Sequence, residues 1–456
     1  MVRKSILALA AAASVLSASA EGYQVNTLSA RQLGMGHTGT GQHLGGESMF
    51  FNPAGLGFLD KQVEVGGSFT GIFATAKATL ADGMTYKTAN DPSTPIMVNA
   101  AFSINDNLKA GLSFYTPYGS GINWTDNWPG AIMSQSVSLK VFTLQPTFSW
   151  RISDRVSVGA GLTISWGSVN LHKGLVVPST ADIMLGALAS AGLLTDPLYY
   201  NGVMPASIAL EGKSSVACGV NVGVMYDITD RLTVGASFRS KVKMSVDAGL
   251  AAINYSDIQA EQLLAELNVL NSTNFAASMP CPYVFSMGLS WKPASRLTLA
   301  ADARLTGWNA YKSLDISFLD DRCAAYNQHI EKNYRNCWSV SVGGEYAVTG
   351  RFDARIGLMV DTSPISHTHY NPETPGMTKL EPTLGFTFRP LENFSIDCGM
   401  MYVAGLGVNG ASCSYPDLLA AKINQNFGTS LPMTGTFTAD YKVHAFIPSI
   451  GLRYAF

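Results

Sequence analysis

From Gln62 to the last residue, apolar and polar residues alternate along much of the chain. This is the pattern of β-strands that present one apolar and one polar face. The segment 155–171 is the clearest example. Its even positions from Val156 to Trp166 are apolar, and its odd positions from Ser157 to Ser165 are serine, glycine or threonine. The pattern predicts an all-β fold.

Six short turns divide the alternating region into pairs of strands. They begin at Asn105, Ser153, Thr229, Ala294, Thr349 and Leu391, and each opens onto a new strand. Longer, irregular connections lie between the pairs. The predicted strands are fourteen, at approximately 62–79, 95–104, 108–118, 134–152, 155–171, 206–228, 231–247, 281–292, 296–317, 336–348, 351–363, 378–389, 393–405 and 435–456. Short turns on one side and long loops on the other predict a transmembrane antiparallel β-barrel.

The seventh predicted strand has the strongest contrast between its two faces. Its apolar side carries Leu232, Val234, Ala236, Phe238, Val242, Met244 and Val246, and its polar side carries Thr233, Arg239, Lys241, Lys243 and Asp247. A soluble β-sandwich could show the same pattern in any one strand, with its apolar face inward. The long strands and the seven long loops favour the barrel, with apolar side chains toward lipid and polar ones toward the lumen.

Composition agrees with a membrane-embedded chain. Of 456 residues only 14% are charged, against roughly 25% in soluble domains, and the formal net charge is −2. This balance argues against a nucleic-acid partner. No segment beyond the first twenty residues approaches the about 18 uncharged apolar residues of a membrane helix, so strands must form any membrane span.

Residues 1–20 have the composition of a secretory signal peptide. Arg3 and Lys4 precede an apolar run, and Ala18, Ser19 and Ala20 form a small-residue cleavage site. We therefore expect an exported protein that is divided into a leader at 1–20, a short N-terminal region at 21–60 and a β-barrel at 61–456.

Cysteines and histidines do not form a recognisable reactive centre. The six cysteines have no CxxC spacing, which argues against a zinc site; Cys323 and Cys337 are candidates for a loop disulfide in an exported protein. The seven histidines do not combine with a nucleophile and an orienting group, so we predict neither an enzyme nor a metal or cofactor.

Two of the long connections predict helices. The segment from Thr180 to Leu194 is apolar on all sides, and the segment from Ser256 to Asn271 has an amphipathic pattern. Ser256 and Gln259 fit a capping box at the start of the second helix. These helices either pack over the mouth of the barrel or provide an apolar surface on which a ligand first binds.

A tight turn, FFNPAGLGFL at residues 50–59, stands between a glycine-rich segment and the first strand. Asn52 precedes Pro53 and is therefore held extended, while Gly55 and Gly57 allow backbones to approach closely.

The segment ARQLGMGHTGTGQHLGGESMFFNPAGLGFL at residues 30–59 resembles the N-terminal hatch of the FadL/TodX (OmpP1) family of outer-membrane transporters for long-chain fatty acids and aromatic hydrocarbons. The family pattern is matched at Gly34, Met35 and Gly36 and at Asn52, Pro53, Ala54 and Gly55. A second match is TPYGSGINWTDNWPG, which begins at Thr116.

The resemblance implies a fourteen-stranded barrel plugged by residues 21–60, a bacterial outer-membrane location and uptake of a hydrophobic small molecule. It also implies lateral release into membrane lipid at a kink in the third strand, here Pro117, Tyr118 and Gly119. Proline and glycine there should weaken strand pairing. Arg239, Lys241 and Lys243 are then candidates for contact with a ligand carboxylate, and a lumen wall of mixed charge is the alternative.

The carboxy-terminus ends in alternating Ile450, Leu452, Tyr454 and Phe456. It resembles the closing strand that outer-membrane barrels present to their assembly machinery. The apolar positions change phase near Ala445, which predicts a bulge at Pro448. We expect a monomer, and a porin-like channel and a purely structural barrel are the alternative functions.

Overall fold

The computed structural model describes residues 22–265 and 271–456, so the predicted leader at 1–20 lies outside the described residues. Residues 22–60, called the N-terminal segment below, contain two helices, α1 (Ala30–Leu33) and α2 (Ser48–Phe51). They also contain the 3₁₀-helices Gly45–Glu47 and Pro53–Phe58.

Fourteen antiparallel strands follow the N-terminal segment, seven of them interrupted into two parts. They are β1 (Val63–Thr70 and Phe73–Thr79), β2 (Ile96–Ser103), β3 (Leu108–Asn123), β4 (Ser136–Ser153), β5 (Val156–Gly174), β6 (Ala206–Lys213 and Ala217–Thr229), β7 (Leu232–Arg239 and Val242–Tyr255), β8 (Ser272–Cys281 and Val284–Ala294), β9 (Leu297–Thr306 and Ser313–Phe318), β10 (Gln328–Glu331 and Cys337–Ala347), β11 (Phe352–Asp361), β12 (Lys379–Leu391), β13 (Phe394–Gly405 and Val408–Pro416) and β14 (Thr434–Ala455). A short strand, Thr85–Lys87, pairs with the end of β1.

Each strand pairs with its neighbours in sequence, and β1 pairs with β14 to close the barrel, with Glu64 opposite Ala455. The six predicted tight turns all connect strands at one end of the barrel, and the seven long loops lie at the other end. The predicted fourteen-stranded barrel is therefore confirmed. By the usual arrangement of such barrels the short turns are periplasmic and the long loops extracellular.

Side chains on β11 show how the wall separates lipid from lumen. Ile356 is 63% exposed on the outside, whereas Asp353, Arg355 and Asp361 are buried on the inside. The same alternation continues around the periplasmic half of the barrel, where the outer surface is apolar and the inner face is polar. Polar side chains tolerate this interior because they bond to one another and to the N-terminal segment.

Strands β7 and β8 reverse their faces part-way along, β7 at the break between Arg239 and Val242 and β8 at the break between Cys281 and Val284. On the periplasmic side of the break Phe238 is exposed and Arg239 turns inward. On the extracellular side Val242 is buried and Lys241 and Lys243 are exposed. The prediction that Lys241 and Lys243 share the lumen-facing side with Arg239 is therefore wrong.

Strand β14 has no phase change. Tyr441, Ala445, Ile447 and Ser449 are all buried on the inner face, and the pairing of β14 with β13 continues through Pro448 without a shift in register. The predicted bulge is wrong because the apolar residues before Ala445 face an apolar part of the lumen rather than lipid.

Three loop helices lie at the extracellular end: α3 (Pro178–Ser190), α4 (Ile258–Ala265) and α5 (Leu418–Phe427). They share a buried cluster that includes Leu185, Leu263 and Ile423. No helix in the described part of the chain is long and apolar enough to cross a membrane.

The predicted capping box of α4 is wrong. The amide of Ala260 donates to the carboxylate of Asp257 at 2.8 Å, whereas the side chain of Gln259 donates to the carbonyl of Leu198 at 2.8 Å. Asp257 thus satisfies the helix amide, and Gln259 connects the loop of α4 to that of α3. The predicted continuation of α4 at residues 266–270 lies outside the described residues.

Candidate functional site

The Asn-Pro turn of the N-terminal segment has the predicted local structure. Asn52 is extended, with φ −156°, and its side-chain oxygen accepts a hydrogen bond from the Ala54 amide at 3.1 Å, which caps the 3₁₀-helix that begins at Pro53. The other end of its amide donates to the carbonyls of Thr40 at 2.9 Å and Val224 at 3.0 Å. Asn52 therefore joins two parts of the N-terminal segment to strand β6.

Glycines on the barrel wall allow this segment to approach the strands closely. Eight glycines on eight different strands, called the wall glycines below, are in contact with this segment: Gly159, Gly223, Gly235, Gly288, Gly343, Gly357, Gly385 and Gly399. A Cβ atom on any of these glycines would collide with an atom of residues 30–54. A Cβ atom on Gly159, for example, would lie 2.6 Å from the Ala54 nitrogen. The backbone of the segment thus lies against most of the circumference of the wall.

The two halves of the hatch motif contact different arcs of this wall. Met35 and Gly36 lie against Gly343 and Gly357, on β10 and β11, and Gly34 lies against Gly385, on β12. Gly36 has φ +66°, a conformation that favours glycine, and its amide donates to Thr383 Oγ1 at 2.9 Å. In the other half of the motif, Pro53 and Ala54 lie against Gly159 on β5, and Asn52 lies against Gly223 on β6, while Gly55 packs on Ser48 within the segment.

Buried charged groups tie the segment to the wall at further points. Asp302 accepts hydrogen bonds from the amides of Gly39 and Thr40, both at 2.9 Å, and from Thr40 Oγ1 at 2.8 Å. Arg304 donates to the carbonyl of His37. Hydrogen bonds to a charged acceptor are among the stronger ones in proteins.

A second ionic group binds α1. Arg31 Nη2 lies 3.3 Å from Glu345 Oε2, and that carboxylate also accepts a hydrogen bond from Arg355 Nε at 2.7 Å. Together with the wall glycines, these contacts place the N-terminal segment across the periplasmic half of the lumen.

The predicted ligand cations are not together. Arg239 donates to the carbonyl of Phe50 at 2.6 Å, and its guanidinium carbon lies 4.3 Å from the centre of the Phe50 ring. Lys241 and Lys243 are exposed on the opposite face. The guanidinium group therefore contacts the N-terminal segment, and contact of these cations with a ligand carboxylate stays a prediction.

A cavity of about 900 Å³, part of it open to solvent, lies on the extracellular side of the N-terminal segment. Most of its lining is aliphatic and comes from the inner faces of β4, β5 and β7 to β9: Val137, Leu139, Val141, Val169, Leu171, Met244, Val246, Met279, Leu314 and Ile316. Tyr23 and Ser120 also line it. The face reversal of β7 and β8 is what brings Met244 and Met279 into this wall.

The predicted kink in β3 is a disruption of strand pairing. Pairing of β3 with β2 ends at Tyr115, and pairing with β4 shifts register between Tyr115 and Tyr118. Beyond Tyr115, on the edge of β3 that no longer pairs with β2, the N-terminal segment forms the backbone hydrogen bonds instead. The Gly119 amide donates to the Tyr23 carbonyl at 2.9 Å, and the Val25 amide donates to the Pro117 carbonyl at 2.9 Å.

Tyr23 lies between the cavity and this kink. Its ring meets those of Tyr118, Trp308 and Tyr311 edge-to-face, with centroids 6.2, 4.7 and 6.1 Å away, and its hydroxyl donates to the Pro280 carbonyl. The Tyr311 ring in turn packs against that of Tyr334, with centroids 5.1 Å apart.

Cys323 and Cys337 are both buried. Cys323 is in the 3₁₀-helix Asp321–Tyr326, and Cys337 begins the second part of β10, in the cluster that contains Cys281. Their disulfide stays a prediction. Among the described residues, no group of three or more histidine, cysteine or acidic side chains is arranged to hold a metal ion.

Sequence reasoning did not find Tyr23 or the wall glycines. Tyr23 carries no motif, and its role depends on a contact with β3 almost a hundred positions away. The glycines gave a signal, since Gly159, Gly223 and Gly357 each interrupt a strand at a lumen-facing position. A glycine within a strand often marks close approach of another backbone.

Comparison with known proteins supports the resemblance. The family model described as outer membrane protein transport protein (OMPP1/FadL/TodX) matches residues 9–456. A long-chain fatty acid transport protein of Escherichia coli O6:H1 is 23% identical over 422 residues, which cover 88% of this chain and 91% of the relative. Outer membrane protein P1 of Haemophilus influenzae is 22% identical over 365 residues, which cover 77% of this chain and 73% of the relative.

Solved structures show the same fold. A FadL homologue of Pseudomonas aeruginosa superposes with a TM-score of 0.76 at 20% identity, covering 95% of this chain and 100% of the other. The toluene transporter TodX of Pseudomonas putida gives a TM-score of 0.67 at 15% identity, covering 94% and 99%. The chain therefore belongs to the OMPP1/FadL/TodX family of bacterial outer-membrane transport proteins, which are not enzymes.

Proposed function

We propose that this protein takes up hydrophobic small molecules by diffusion through the plugged barrel and releases them sideways at the kink in β3. The observation that carries the proposal is the cavity whose lining includes Tyr23 and Ser120, one on each side of the disrupted pairing. The name of one relative refers to long-chain fatty acids and that of one solved structure to toluene, so both cargo classes are candidates.

An exit along the barrel axis is unfavourable. The N-terminal segment lies against wall glycines on eight strands and is bonded to Asp302, Arg304 and Glu345. Axial release would require breaking these buried polar contacts. We accordingly propose that residues 21–60 act as a hatch domain within a barrel of residues 61–456, after removal of a leader at 1–20.

A sideways exit requires the displacement of only a few residues of the N-terminal segment, with loss of the ring contacts of Tyr23. Two backbone hydrogen bonds hold the residues around Tyr23 against Pro117 and Gly119, at the place where β2 no longer pairs. Displacing Tyr23 to Val25 would open the wall directly toward lipid. An apolar cargo gains about 0.8 kcal/mol per buried CH₂ in the cavity and keeps that environment on entering the bilayer.

The test is a disulfide lock across this closure. Gln24 pairs with Tyr118 in an antiparallel bridge. The backbone hydrogen bonds lie on either side of this pair, so it is a non-hydrogen-bonded pair, the kind whose Cα atoms and side chains are closest in an antiparallel ladder. The variant Gln24→Cys/Tyr118→Cys should lose uptake of labelled fatty acid and toluene in intact cells under oxidising conditions and regain it with a reductant.

The two single-cysteine variants are the controls, because they alter the same side chains without the lock. Uptake that is equal in the oxidised and reduced double variant would exclude the lateral route. If cells that produce the wild-type protein take up no more cargo than a deletion strain does, a structural barrel is favoured. A large and steady ion conductance of the purified protein in planar bilayers would favour a porin.

The carboxy-terminal strand is the proposed contact with the assembly machinery. The Val63 amide donates to the carbonyl of Phe456 at 2.9 Å, and the Phe456 ring is exposed. Deletion of Phe456 should lower the amount of folded barrel in the outer membrane. Separately, we expect the wild-type protein to be a monomer when its size is measured in detergent.

A further inference from the structure

We propose that the cavity selects uncharged apolar molecules, such as hydrocarbons and long-chain alcohols, over molecules that carry a carboxylate. The inference rests on the proposed function, since it names the cargo class of the same cavity. It follows from the charges that line the cavity and from how each is already paired.

Only two of the described residues that line the cavity carry ionisable acid or amine groups, Lys140 and Glu373. Lys140 lies on β4 between Leu139 and Val141, which are buried on the inner face, while Lys140 itself is exposed. Successive side chains of a strand point to opposite faces, so the ammonium group of Lys140 points away from the lumen. The charged group that remains in the lining is the Glu373 carboxylate.

Glu373 belongs to the loop between β11 and β12, which folds into the mouth of the barrel. Three contacts fix this loop: Trp124 Nε1 donates to the carbonyl of Pro372 at 2.8 Å, the Glu373 amide donates to Asn371 Oδ1 at 3.0 Å, and the hydroxyls of Tyr334 and Thr374 lie 2.9 Å apart. Glu373 is 6% exposed, so the carboxylate is held in place rather than free in solvent.

Lys332 is the partner of this carboxylate. Its side chain is almost completely buried, and its ammonium group is bonded to Glu373 Oε1. Lys332 is not among the residues that line the cavity, whereas Glu373 is. The carboxylate therefore stands between the Lys332 ammonium group and the cavity, and it neutralises that buried cation.

A carboxylate ligand in this cavity would meet a negative charge. To reach Lys332 it would have to displace Glu373, which would leave a buried carboxylate without its partner; such a group is strongly unfavourable. An uncharged ligand is not repelled by Glu373 and does not have to break the ion pair between Glu373 and Lys332. The hydroxyls of Tyr311 and Thr374 can form hydrogen bonds with a neutral polar end group.

Decanoate and decan-1-ol, which have the same chain length and differ only at the end group, provide the test. Their dissociation constants for the purified protein in detergent are measured at pH 6, where decanoate is ionised and the buried Lys332 side chain is protonated, by displacement of an uncharged fluorescent alkyl probe. The wild type should bind decan-1-ol more tightly. Glu373→Gln exposes the Lys332 ammonium to the cavity, so it should tighten decanoate binding by about tenfold and leave decan-1-ol binding within about twofold.

Two further variants separate the charge effect from a change in folding. Lys332→Met/Glu373→Gln removes both charges and should not gain affinity for decanoate. Glu261→Gln makes the same charge change on the exposed face of α4, away from the cavity, and should behave as the wild type.

Equal or tighter binding of decanoate by the wild type would overturn this inference while leaving the proposed function intact. A Glu373→Gln variant that binds decan-1-ol normally and shows no gain for decanoate would also overturn it. Failure of the wild type to bind either molecule would overturn the proposed function itself.

Discussion

Asn52 and Gly223 meet at a point where no larger residue than glycine fits, because a Cβ atom on Gly223 would overlap the side-chain oxygen of Asn52. The same oxygen caps the 3₁₀-helix at Ala54, so it cannot turn away without losing that bond. The packing of the N-terminal segment is thus linked to a single small residue on β6.

Gly223→Ala should therefore destabilise the protein by about 1–3 kcal/mol, the usual effect of overpacking a buried contact. The measurement is the urea midpoint for loss of the compact, heat-modifiable form on a gel. Gly350→Ala is the matched control, since no atom lies within 4 Å of a Cβ at that turn. Equal urea midpoints for Gly223→Ala and Gly350→Ala would show that the N-terminal segment shifts to accommodate the extra methyl group without loss of stability.

Asn52→Ala should loosen the segment through lost hydrogen bonds. It removes the hydrogen bonds to the Thr40 and Val224 carbonyls and leaves the Ala54 amide without its side-chain acceptor; an unsatisfied buried group costs about 1–3 kcal/mol. Protease cleavage within residues 30–60 of the folded protein should become faster. Asn393→Ala, which removes one exposed bond to Tyr454, is the control and should leave the cleavage rate unchanged.

The strands of the barrel were predictable because each one repeats the same two-residue pattern between clear turn signals. The periodic residues of β5 and β11 gave the correct faces, and the Asn-Pro turn at 52–53 gave the correct local conformation. These features depend on neighbours in sequence, which a single chain records directly.

Features that depend on distant parts of the chain were not predictable. Alternation around Lys241 predicts apolar residues toward lipid, but in this part of β7 the apolar residues line the cavity and Lys241 and Lys243 are on the outside. The alternation is kept and its direction is inverted, so periodicity alone does not indicate which face is outside. The pairing of Glu373 with Lys332 joins two loops 41 positions apart, and neither loop carries a motif.

Lipid exposure of β11 gives a further test. Ile356 lies near the middle of that strand and is 63% exposed, so Ile356→Lys should destabilise the inserted barrel by about 2–4 kcal/mol, the range for a cation near the bilayer midplane. Refolding into lipid vesicles at increasing urea concentration measures the effect. Leu319→Lys, in an extracellular loop with similar exposure, should change stability by less than about 0.5 kcal/mol. The same loss in both variants would contradict the assignment of β11 to the lipid-facing wall.

Asp302 tests whether polar bonds or glycine contacts hold the N-terminal segment in the lumen. Asp302→Ala removes the acceptor of three hydrogen bonds from Gly39 and Thr40, each worth about 1.5–3 kcal/mol because the acceptor is charged. The segment should then leave the wall more often, so planar bilayers should show more frequent and larger ion-conducting openings than the wild type.

Asp106→Ala, at an exposed periplasmic turn, makes the same chemical change without touching the segment and should conduct as the wild type does. If Asp302→Ala also conducts as the wild type does, close packing against the wall glycines is sufficient by itself to hold the N-terminal segment in the lumen. In that case Gly357→Ala, which places a methyl group against the Gly36 amide, should produce the openings instead.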